Sequence, residues 1–143
     1  MAVTDTTAGF RLYGRIGGNS DNLLIQTMIF KDDETLHKGD ILNAEAGEVD
    51  LGVAADTALL GIALENKTGV DSTTEIEVCV DPLAIYAVYD ANARVIGATL
   101  DLTGATGAQG VTTSSEATLI VIANSAADEL TLVRIHPDHH ALA

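Results

Sequence analysis

Three histidines stand near the end of the chain, at His136, His139 and His140. Neutral imidazoles bind divalent transition metals, so their clustering raises the question of a metal site. The spacing argues against one. Two rings share a helix face at i and i+4, as in H-E-x-x-H, but Pro137 stands inside this segment and no glutamate is placed as a base. A solvated tail or an intersubunit contact accounts for these residues without a metal. Asp32-Asp33-Glu34 offers carboxylate oxygens of the kind that hold calcium, yet lacks the Asp/Asn–Gly–Glu progression of an EF-hand loop. It reads as a solvated turn. Cys79 is the single cysteine, so no disulfide forms within the chain. Its neighbours in EIEVCV are acidic and apolar, which suits a semi-buried small side chain rather than a nucleophile. GATGAQG, from residue 104, lacks the Gly-Lys-Ser/Thr ending of a phosphate cradle and reads as a mobile hairpin loop. Ser20, Ser72, Ser114, Ser115 and Ser125 lie in polar loops with no nucleophile elbow. No catalytic, metal or cofactor-binding residue is nominated, and no enzyme is expected.

Charge narrows the partners. The chain of 143 residues has 7 basic and 21 acidic side chains, a formal charge of −14. The acids are spread along its length. Such a field repels nucleic acid and anionic membranes and favours basic patches on a partner. It also fits a high-salt environment, where self-repulsion is screened. The aromatics are Phe10, Phe30, Tyr13, Tyr86 and Tyr89, too few for the stacking platforms of a single-strand binder. MAVTDTTAG lacks the basic and apolar regions of a signal peptide, and no apolar run has the length of a membrane span.

Short apolar pieces between glycines indicate the scaffold. Leu36 to Ile62 is divided by Gly39, Gly47, Gly52 and Gly61 into steps of strand length. Strands are expected at 22–30, near 40–43 and near 49–53. AADTALLGIA suggests one helical turn running into a strand. Glu75 to Val80 alternates with period two, and Asp81-Pro82 bends the chain before LAIYAVY. VIGATLDL, ATLIVIA and ELTLVRI follow as strands. Asn22 to Phe30 is apolar on both faces, as a central or interface strand is. The expected fold is all-β, a small antiparallel barrel or sandwich, with an extended N-terminal arm. Residues 1–20 form that arm, 21–136 the β-rich domain and 137–143 the tail.

The order of these pieces resembles the small capsid decoration, or head cement, proteins of tailed viruses. Lys38-Gly39-Asp40 opening a strand, Leu60-Gly61-Ile62, the Val78 and Val80 pair, and Gly97 carry the resemblance, which spans roughly residues 23 to 135. It implies a β domain on the outer surface of a virion shell, assembled in the host cytoplasm and bound to the major capsid protein. It also implies a homo-oligomer, often a trimer at threefold or quasi-threefold positions, with no cofactor or substrate. Within that reading Phe10, Leu12, Tyr13 and Ile16 are the expected arm contacts. Arg11 and Arg15 would pair with carboxylates of the capsid or a sister subunit. Removing residues 1 to 18 would then weaken shell binding and leave the domain folded. A receptor- or glycan-binding β module is one alternative, and a small hydrolase another.

Overall fold

The computed structural model describes residues 9–18, 23–31, 33–70 and 72–142. Residues 1–8, Asp32 and the other remaining positions lie outside them, including the start of the expected arm and part of the acidic run. Thirteen strands follow one another among the described residues: β1 (Phe10–Arg15), β2 (Ile25–Phe30), β3 (Thr35–Leu36), β4 (Ile41–Glu45), β5 (Glu48–Leu51), β6 (Leu59–Ile62), β7 (Lys67–Thr68), β8 (Glu75–Cys79), β9 (Ala84–Tyr89), β10 (Thr99–Thr103), β11 (Gly110–Thr113), β12 (Leu119–Ser125) and β13 (Leu130–Ile135). The fold is all-β. One sheet has the order β1-β9-β13-β12-β10-β11, and the second β6-β4-β5-β2-β8. They pack as a sandwich rather than a closed barrel.

Among the described residues every pairing between strands is antiparallel except β2 with β5, which run parallel because β3 and β4 carry the chain back between them. The chain passes between the sheets at Asp81-Pro82. Proline cannot donate to a ladder, and β9 pairs with β1 and β13 instead of its predecessor β8. Phe10, Tyr86, Val88, Leu100, Leu119 and Val133 of the first sheet meet Ile41, Leu59 and Ile62 of the second in the main core. The five-stranded sheet curls around a second core of Phe30, Leu36, Leu42, Val49, Ile76 and Val78. Its edges meet at one bridge, Ala63 to Val78, and one bond from the Leu64 amide to the Glu77 carbonyl at 2.9 Å. Gly61 permits this approach. Its φ is +145°, and a Cβ would collide with the Cys79 carbonyl oxygen and Tyr86 Oη.

Several expectations change. Residues from Phe10 onward are not a free arm: β1 is the edge strand of the first sheet, and Phe10 is 2% exposed. AADTALLGIA contains no helical turn. The Asp56 carboxylate accepts from the Val53 amide at 2.9 Å and closes a turn instead, the local side-chain bond that competes with helix. VIGATLDL becomes strand only at Thr99, and Val95 and Ile96 are exposed in the preceding turn. The loop before β11 is pinned rather than mobile. Gln109 is fully buried, accepting from the Ile41 amide at 2.6 Å and donating to the Gly52 carbonyl at 3.1 Å.

The histidine tail is likewise docked. A 3-10 turn, Pro137–His139, brings the rings of His139 and His140 inward. His139 Nδ1 and Nε2 lie 2.6 and 2.8 Å from the carbonyl oxygens of Asp56 and Glu116. His140 Nε2 lies 2.7 Å from the Leu60 carbonyl oxygen, and its Nδ1 accepts from the Leu142 amide at 3.0 Å. That pair of bonds selects the neutral ring protonated on Nε2. Burial, with a smaller contribution from Arg134, lowers the His140 value below the ordinary one; the Leu60 bond and Asp81 oppose it only in part. On acidification the unfolded chain therefore takes up this proton before the folded chain does. The stabilisation is whole above about pH 6.5 and is lost as pH falls toward the lowered folded value. The Ala141 amide, which donates to the Leu59 carbonyl at 2.9 Å, reports on this docking. Corrected for intrinsic exchange, its hydrogen-exchange protection is expected to fall between about pH 7.5 and 5.5. Equal protection at both values would contradict the neutral, docked ring.

Candidate binding groove

A groove of about 700 Å³ opens between β1, the turn at His37–Gly39 and the segment after β6. Three backbone–backbone bonds and one to a side chain hold its walls. The Gly9 amide donates to the Gln109 carbonyl at 2.6 Å, and the Phe10 amide to the Gly39 carbonyl at 2.9 Å. The Gly39 amide donates to the Ala63 carbonyl at 2.9 Å, and the Lys38 amide to Asn66 Oδ1 at 2.7 Å. Gly39 has φ +95°, and a Cβ there would strike the Phe10 carbonyl oxygen. The Lys-Gly-Asp turn is thus the seat of β1. Asp40, fully buried, braces it from behind: its carboxylate accepts from the amides of His37 and Gly107, each at 2.8 Å, and from the Thr106 hydroxyl. Thr106 also meets His37 Nδ1 at 3.0 Å.

The floor is apolar, from Phe10, Leu12, Ile62 and Leu64, with Tyr89 at its side. The rim carries Arg11, Lys38 and His37. In a chain with 7 basic side chains this placement is informative. Arg15 Nε reaches Asp81 at 2.8 Å and Arg94 Nε reaches Asp90 at 2.7 Å. Lys31 Nζ lies 2.7 Å from Glu45, Lys67 Nζ 3.8 Å from Glu65, and Arg134 donates to the Pro82 carbonyl at 3.3 Å. Arg11 and Lys38 remain, both exposed, with no side-chain partner among the described residues. They share one groove.

The nominated contacts therefore separate. Phe10, Arg11 and Leu12 line the groove, and Phe10 also serves the core. Tyr13 stands 60% exposed where the β1–β9 register slips. The Ile16 amide donates to the Leu83 carbonyl at 2.9 Å, and the residue is half-buried. Arg15 is paired within the domain, to Asp81. Burial alone would raise the Asp81 carboxyl, but the Arg15 guanidinium and the Leu83 and Leu24 amides hold it below the ordinary carboxylate range. Cys79 is fully buried, and burial pushes its thiol up, away from the reactive thiolate.

Sequence reading missed His37, Lys38, Leu64, Asn66 and Tyr89, which come to one place from distant parts of the chain. Lys38 had a local signal, because it belongs to the turn that seats β1. A second surface is also built. β2 turns Met28 and Phe30 inward and leaves Ile25 and Ile29 49% and 39% exposed, with Leu24 beside them. Glu75 and Glu77 of β8, paired with Ile29 and Thr27, and Glu48 of β5 border this stripe. No protein-family model matches the chain, and no characterised protein sequence matches it.

Proposed function

We propose that this chain is a structural, non-enzymatic decoration protein of a virion head, binding the outer surface of the major capsid protein shell as a homo-oligomer, with threefold or quasi-threefold positions as its sites. The observation that carries the reading is the exposure of Ile25 and Ile29 on the outer face of β2, an interior strand of the second sheet. An interior strand of a soluble sandwich has no need of an apolar outer face, and contiguous exposed apolar surface marks contact sites. The acids around it favour a shell surface with an apolar centre and a basic rim. Many weak copies on one shell reinforce each other through the lattice. The sequence resemblance supports the same assignment. The groove of about 700 Å³ is the one observation that favours the alternative, a ligand-binding module.

The double substitution Ile25→Asp with Ile29→Asp tests the stripe. Burial of an isoleucine contributes about 1.5–3 kcal/mol, so retention on purified heads is expected to fall more than tenfold. Neither side chain belongs to a core, but a carboxylate at position 29 faces Glu48 and Glu75, so the thermal midpoint is expected to fall while circular dichroism at the assay temperature shows the fold kept. Undiminished retention would remove the stripe as the shell contact.

A further inference from the structure

We propose that the groove beside β1 is a second binding site, whose ligand is an extended acidic segment of a partner protein. Five of the 7 cationic side chains have a partner within the domain, two of them in exposed pairs, and the two left over meet at one apolar groove. In a molecule of charge −14 that arrangement selects for carboxylates. Asp40 lies behind the groove but is occupied by three donors, His37 of its own turn and Thr106 and Gly107 of the loop before β11, and takes neither cation. Carboxylates of the segment pair with Arg11 and Lys38, and an apolar side chain between them packs on Leu12, Leu64 and Tyr89. β1 is an extended edge strand whose Phe10 amide is already taken by Gly39, so side chains rather than added ladder bonds hold the segment along it. The stripe asks for a basic partner surface and the groove for an acidic one. The site goes beyond the shell reading and stands without it.

The test is a nuclear magnetic resonance titration of the full chain with two pools of blocked pentapeptides. One pool has the pattern Asp-x-Asp-x-Asp, where x is Leu, Ile, Val or Tyr; the other replaces each Asp with Asn. The acidic pool is expected to shift resonances of Arg11, Leu12, Lys38, Leu64 and Tyr89 and to leave Ile25 and Ile29 unmoved. The Asn pool should bind about tenfold more weakly, as should the acidic pool to the Arg11→Gln, Lys38→Gln double variant, since two exposed charge pairs are lost. Both side chains are exposed, so the variant keeps its fold and its spectrum checks this. No shift at millimolar peptide, or equal binding of both pools, overturns the proposal. So does concentration-dependent self-association that the double variant abolishes, because the occupant is then a second copy of this chain. Loss of head binding by the stripe variant with intact peptide binding separates the two sites.

Discussion

Deleting residues 1–18 is expected to unfold the domain. The deletion removes β1 and with it Phe10, a fully packed core side chain. Truncating a buried phenylalanine costs about 3–5 kcal/mol. It also strips Arg15 from Asp81, a carboxylate 3% exposed. Breaking a buried pair costs about 3–5 kcal/mol, less here because Arg15 is itself 30% exposed. Leu12 and the ladder to β9 go as well. Together these losses approach the whole stability of an ordinary domain, about 5–15 kcal/mol. Circular dichroism with a thermal melt decides the matter. A cooperative transition without residues 1–18 would mean that β1 is an appendage, as the sequence alone suggests.

Gly61→Ala is expected to be the most damaging single substitution. The position combines a φ of +145° with two obstacles to a Cβ, the backbone oxygen of Cys79 and the hydroxyl of Tyr86. One obstacle is main chain and cannot rotate away. Tyr86 is buried and donates to Cys79 Sγ at 3.9 Å, so moving it disturbs the junction of β6, β8 and β9. Backbone strain of about 1–3 kcal/mol adds to overpacking of about 1–3 kcal/mol. Gly110→Ala is the control, since no atom lies within 4 Å of its Cβ position and its φ is unremarkable. It should move the urea midpoint by the equivalent of about 1 kcal/mol or less. Similar midpoints for the two variants would contradict the close approach at Gly61.

Local pattern reached the elements better than their partners. Glu75 to Val80 was legible because alternation reports burial directly: Ile76 and Val78 are buried, Glu75 and Glu77 exposed. The glycine-divided steps at Ile41 and Leu59 became β4 and β6 for another reason: short apolar runs bounded by turns are buried on both faces. Phe10 was not legible as core. It stands alone among polar residues and glycines, and its burial comes from β9 and Gly39, both distant in sequence. Nothing local marks the parallel pairing of β2 with β5. Gln109 and the two docked histidines look like solvated residues in loops. Each is held by carbonyl oxygens or amides that only the folded chain brings near. The groove shares this origin. Arg11 was nominated for its charge, and only the pairing of the other cations shows why it matters.

Electron cryo-microscopy of virus particles containing this chain tests the decoration reading most directly. Copies are expected at threefold or quasi-threefold positions of the head, with Ile25 and Ile29 of β2 against the major capsid protein. A head shell that lacks the chain, or one that carries it with the β2 stripe facing solvent, would contradict that reading.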